Sequence, residues 1–355
     1  MKRNLLLIIA LIAICFPTSL RAQEGPRISG FVQGLYQANF NEDLKPVSNT
    51  FQARRVRMSL DGSLVKGLTY KIQGDFVRKH MLVDFYLKYK VCDEFAIQAG
   101  QFKTPFTLES PINPVNLEIF DYGESVQGLS GYNDVCGVGS LGRDLGVMFT
   151  GNLFEDSSED FHILTYNIGV FNGNGANEKD NNNRKDFVGR LEFRPWLEDL
   201  TLSGSYYYGW YEVKGEIHNG ARQRWTAGAQ YNDGDLVVRA EYLSGTTGFH
   251  NGTLDNNGNP IELYSPSQGY YAVAGYNIYF GKDDSQKLMP VLRYEHFAPG
   301  DRDPIVNGED NIYTVGINYW PLKSLNFKFD CSLIQHVEAT KTNSFRAVGI
   351  MSYKF

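Results

Sequence analysis

From residue 27 to the end of the chain, apolar and polar side chains alternate with the two-residue period of a strand. The stretch 51–64, FQARRVRMSLDGSL, shows it plainly: Arg55, Arg57, Ser59 and Asp61 share one face, and Val56, Met58, Leu60 and Gly62 share the other. The pattern recurs in sixteen segments, opening with 27–40, 51–64, 68–79, 82–91 and 95–104 and closing with 311–322, 325–338 and 344–355. Short turns such as Lys66-Gly67 and Lys323-Ser324 alternate with longer polar loops such as 41–50 and 248–269. A soluble sandwich could bury one such face, but nothing in it demands the same two-faced strand along nearly the whole chain. A closed sheet in lipid does, because every backbone N–H and C=O must be paired there and only a barrel leaves no edge. The expected fold class is therefore all-β, a 16-stranded antiparallel transmembrane β-barrel with lipid outside and a wet lumen.

Charge placement fits this expectation. A Lys or Arg facing mid-bilayer lipid costs about 2–4 kcal/mol, and much less near the interfaces. Asp61, Asp75, Lys88, Glu192, Arg239, Arg293, Lys328 and Asp330 lie inside strands and fall on the lumen parity. Arg54, Arg78, Lys103, Arg143, Glu212 and Lys282 have lipid-side parity and sit near strand ends. On this parity the lumen carries fourteen cations against seven carboxylates, in a chain whose formal charge is −6.

The rest of the chain adds an address and excludes alternatives. Lys2 and Arg3 precede the apolar run from Leu5 to Phe16, and cleavage after Ala22 is the expected end of a signal peptide at 1–22, leaving 23–355 as the barrel domain. Its removal takes the formal charge to −9, a sign that disfavours a nucleic-acid partner. No later run approaches the roughly 20 apolar residues of a membrane helix. Cys92, Cys136 and Cys331 are scattered and odd in number, without disulfide or metal spacing. No catalytic constellation emerges and no cofactor is expected. The G-x-G-x-x-G at 137–142 lacks the preceding strand and following helix of a dinucleotide site. Asp255, Asn257 and Asn259 resemble a calcium loop, but Pro260 stands where the glycine is needed.

The longest interruption is 104–142. Phe106, Leu108, Leu117, Ile119, Phe120 and Leu129 suit it to packing rather than disorder, and the natural surface is the inside wall, where it would narrow the pore. An ordered external cap is the alternative.

Several residues also carry a resemblance. Phe51 with Arg54-Arg55 and Arg57, the run 100–106 (GQFKTPF), the run 142–147 (GRDLGV), and Tyr166 with Gly169, Phe171-Asn172-Gly173 and Gly175 resemble the phosphate-selective porin O and P family, most densely over 51–175. The chain ends in Phe355 with aromatics at alternating positions, as bacterial outer-membrane barrels do. The resemblance implies a homotrimeric Gram-negative outer-membrane channel with an arginine-lined lumen and an inward-folded third loop. Phosphate or polyphosphate is then the leading cargo, outer-membrane lipid the surrounding partner, and Arg55, Arg57, Lys71, Lys103, Arg190, Arg194, Arg222 and Arg224 the expected pore-lining anion contacts. On simple parity Lys103 needs a bulge at Gly100 to point inward. A general or carbohydrate-admitting pore, and a plugged barrel acting as adhesin or structural anchor, are the alternatives.

Overall fold

The computed structural model describes residues 24–41, 48–139, 141–156, 161–195, 197–212, 219–258, 260–300, 308–338 and 341–355. The expected signal peptide lies outside the described residues. Sixteen strands follow one another: β1 Glu24–Asn41, β2 Ser48–Val65, β3 Leu68–Asp75, β4 Leu82–Lys90, β5 Ala96–Lys103, β6 Arg143–Asp156, β7 Phe161–Phe171 and β8 Asp186–Phe193. The second half holds β9 Leu200–Glu212, β10 Asn219–Asn232, β11 Leu236–Leu254, β12 Pro260–Tyr276, β13 Gln286–Ala298, β14 Asp310–Leu322, β15 Leu325–His336 and β16 Ser344–Lys354. After a break at Asn277, the short strand Ile278–Phe280 continues β12 along β13. Each strand pairs antiparallel with the next, and β16 pairs with β1 from Phe31↔Lys354 to Asn41↔Ser344, which closes the barrel.

The two-faced strands are inverted relative to a soluble protein. On β2, Arg55 and Arg57 are 5% and 3% exposed while Met58 is 45% exposed, and outward Leu292 on β13 reaches 63%. Greasy side chains face lipid, and aromatic pairs such as Trp225–Tyr242 and Tyr294–Tyr313 lie among them.

Two boundaries differ from the sequence expectation. β3 stops at Asp75, leaving a link at 76–81, because the Asp75 carboxylate turns inward to Arg57 and accepts from the Val56 N–H. The expected loop 248–269 is instead the paired top of the β11–β12 hairpin, with partners out to His250↔Glu262. From His250 to Pro260 the sequence is polar apart from Leu254 and rich in Asn and Gly, so hydropathy there reads as loop. Asp255 closes the hairpin turn by accepting the Asn257 N–H at 2.8 Å and the Gly258 N–H at 3.0 Å.

The segment 104–142 folds into the lumen. Its single helical turn, α1 (Glu124–Leu129), and the chain before it bury Leu117, Ile119, Val126 and Leu129 against Val237, Val273, Met289 and Val291 of the wall. The inner wall of β11–β13 thus carries an apolar cluster where the loop covers it, set beside the charged Arg239, Glu241, Arg293 and Glu295, and the wall of β2–β8 mixes cations with a smaller apolar cluster. The lumen has a filled half and an open half.

Candidate anion site in the lumen

Shortly before the loop leaves it, β5 adopts a backbone conformation that suits only glycine. Gly100 holds φ at 134°, and an added Cβ would overlap the Phe85 carbonyl oxygen. The register runs unbroken across it, as Tyr86↔Gly100 and Gly100↔Gly146, so the expected bulge is absent; Ala96, Gln98 and Phe102 keep the inner parity, and Lys103 turns inward as the last residue of β5. Beyond it Phe102 packs inside against Tyr86 and Phe171, with centroids 6.0 and 5.5 Å apart. Lys103 also points inward and donates to the Ile112 carbonyl at 3.0 Å and the Tyr122 hydroxyl at 2.9 Å.

Ion pairs hold the rest of the loop to the wall. Arg293 of β13 pairs with Glu109 at 2.5 Å, Arg239 of β11 with Glu118 at 2.5 Å, and Arg224 of β10 with Asp134 through both guanidinium nitrogens. Ser125 at the start of α1 gives both its N–H and its hydroxyl to Glu295, each at 2.8 Å. At the far end Phe120 lies between the guanidiniums of Arg54 and Arg346, 5.3 and 4.6 Å from the ring centroid. Burial pushes the Glu124 carboxyl up to about 7, and nearby Glu295 adds to the rise.

These contacts correct the lumen charge count. Glu109, Glu118, Asp121 and Asp134 enter from the loop, and Asp186 opens β8; together they engage Arg293, Arg239, Arg54, Arg55, Arg224 and Arg222. The cationic surplus is therefore local, not spread around the barrel.

It is concentrated in a cavity of about 340 Å³ between the loop and β2–β8. Arg57, Lys71, Lys103, Arg143 and Arg190 line it, and Asp84 is the one carboxylate among its described lining residues. Arg143 holds Asp84 at 2.7 and 3.0 Å, and Arg57 donates to Asp75 at 3.0 Å. Arg190 donates to the Thr107 carbonyl at 2.7 Å and also pairs with Glu192. Half-buried Lys71 makes no hydrogen bond or ion pair among the described residues.

Of the eight residues expected at the pore wall, four meet here: Arg57, Lys71, Lys103 and Arg190. Arg55 stands apart on Asp121 and Gln33. Arg194 is held by Glu192 and Thr165 away from the cavity. Arg222 and Arg224, each 2% exposed, lie behind the loop on Asp186 and Asp134 and do not line the cavity. Parity also misplaced two arginines. Arg54 is the extra residue of a bulge, since Gln33 pairs with Arg55 and the next residue, Gly34, with Ala53, and it turns inward to Asp121 at 2.8 Å. Arg143 begins β6, where strand parity has not yet settled, and Asp84 draws it in.

The comparisons with known proteins agree with this fold. The model of the family described as phosphate-selective porin O and P matches residues 25–214. The anion-selective porin from Comamonas acidovorans superposes with a TM-score of 0.68 at 12% identity, covering 93% of this chain and 99% of that one. OmpF of Salmonella typhi, solved with daunomycin, gives 0.65 at 14% identity, over 93% and 97% of the two chains. The outer-membrane channel DcaP of Acinetobacter baumannii gives 0.62 at 12% identity, over 93% and 97%. OmpT of Vibrio cholerae in a trimer form gives 0.57 at 12% identity, over 94% and 100%. No curated protein is a significant match by sequence. With more than half of its residues inside the family model and a closed barrel of porin architecture, the chain belongs to the phosphate-selective porin O and P family of Gram-negative outer-membrane channels.

Proposed function

We propose that this channel passes small anions by passive diffusion and disfavours cations, with phosphate and polyphosphate among its cargo. One observation carries the reading: the lumen space left open by the loop is bordered by five cationic side chains and one carboxylate. An anion about 5 Å from one such group gains on the order of 3 kcal/mol at an effective dielectric near 20, before desolvation is subtracted. Several such contacts in series attract anions while leaving each position shallow enough to exit.

The test is the reversal potential of the purified barrel in planar bilayers under a salt gradient. Anion preference is expected, and cation preference or none rejects the proposal in favour of a general or carbohydrate-admitting pore. The absence of unitary current in correctly folded protein would point instead to a plugged barrel serving as adhesin or anchor.

We also propose that the mature chain begins near residue 23 and that it assembles as a homotrimer. The trimer form recorded for OmpT of Vibrio cholerae supports this assembly by fold likeness. N-terminal sequencing of the outer-membrane form and cross-linking in detergent test the two points separately.

A further inference from the structure

The cavity is built from two unlike sides. The strands supply all five cationic groups, whereas the loop contributes Pro105, Pro111 and Pro114 with the neutral Thr104 and Asn113, and no charge among its lining residues. A proline has no N–H to offer an anion, so at these three positions the loop presents apolar surface without a backbone donor. The nearest loop acid, Glu109, is fully buried and turned away to Arg293. Between the cations, Tyr86, Phe102 and Met148 bring further apolar surface to the same space.

Most of the donors are also engaged already. Both carboxylate oxygens of Asp84 occupy the Arg143 fork, Arg57 gives its Nε–H to Asp75, and Lys103 spends its ammonium protons on the loop. Lys71 remains as a charged group with no such partner among the described residues. One ammonium opposite a proline face suits a single negative charge attached to something greasy. It suits a multiply charged oxyanion less well, since the oxygens turned toward the prolines, Phe102 and Met148 would lose water without gaining donors.

We infer that the cavity binds organic monoanions with a compact apolar body, of the aryl or branched-alkyl carboxylate class, better than it binds small inorganic or short-chain anions. The charged end lies at Lys71, and the apolar body lies against the prolines and Met148. This inference rests on the anion-channel reading and narrows it.

The test is block of chloride current through single channels of the full barrel by sodium acetate, pivalate, benzoate and phosphate. Half-block by benzoate is expected at a concentration about fivefold or more below that of acetate, with pivalate between them, as burial of added apolar surface requires. In Lys71→Gln the benzoate block is expected to fall at least about threefold. Equal block by acetate and benzoate, or phosphate blocking more strongly than benzoate, overturns the inference while the reversal potential still reports anion preference. Benzoate block that survives Lys71→Gln unchanged places the binding elsewhere and also overturns it. Loss of anion preference itself would instead reject the function proposed above.

Discussion

Arg224 grips Asp134 through both guanidinium nitrogens, at 2.5 and 2.6 Å, with neither side chain more than 1% exposed. The arginine belongs to the wall and the aspartate to the loop, so this ion pair, with those of Arg239 and Arg293, ties the loop to the barrel. Removing one partner of such a pair strands a buried charge, typically at about 3–5 kcal/mol. Arg224→Ala is therefore expected to leave the barrel folded but loosen the loop. Larger or noisier unitary conductance and faster proteolysis within 104–142 would register it, and wild-type behaviour in both would show that the pair is dispensable.

Two substitutions in the cavity should act in opposite directions. Lys71→Gln removes a charge that no described residue holds, and the anion-to-cation permeability ratio is expected to drop about twofold or more at low salt. Asp84→Asn deletes the lining carboxylate and releases the Arg143 fork, so the same ratio should rise. Arg55→Ala, whose native side chain is on Asp121 outside the cavity, should change the ratio less than Lys71→Gln. Reversal potentials of the three variants rank these effects directly.

Gly100 is expected to tolerate no side chain. A φ of 134° costs a non-glycine residue about 1–3 kcal/mol, and the Cβ would also collide with the Phe85 carbonyl. Gly100→Ala should lower the unfolding midpoint in denaturant and misplace Lys103. Gly189→Ala is a suitable control, because nothing lies within 4 Å of where its Cβ would stand and its φ is ordinary.

The docked loop should also sense pH. With its carboxyl raised from 4.5 to about 7, Glu124 penalises docking when ionised. The penalty is absent below about pH 4.5, grows as pH climbs, and is complete above about 7. Proteolysis of the loop should therefore be faster at pH 8 than at pH 5, and Glu124→Gln should flatten the difference. A pH-independent rate in the native channel would refute this role for Glu124.

The barrel was legible in the sequence because lipid imposes a strict rule on each strand, as Arg55 and Arg57 opposite Met58 illustrate. Parity failed where regular pleating is interrupted or ends: at the bulge of Arg54, at the last residue of β5, Lys103, and at the first residue of β6, Arg143. The site was half legible for a different reason. Strand parity tells which cations face inward but not which carboxylates a folded-in loop will bring to them. Glu109, Glu118 and Asp134 looked like loop acids, and only docking makes them partners of Arg293, Arg239 and Arg224. The one hint was that the loop held buried-type aliphatics beside those acids, matching the apolar cluster on the inner wall of β11–β13.

The join of β1 to β16 has a consequence for biogenesis. Gln33 meets Ser352 across 319 positions of sequence, and Gly30 and Phe355 exchange both backbone hydrogen bonds at 3.0 Å. The first strand therefore has no partner on one flank until the last has been made. A nascent chain carries two raw sheet margins through the aqueous compartment, each a template for aggregation. Escort to the membrane and late zipping of head to tail are thus written into the register itself.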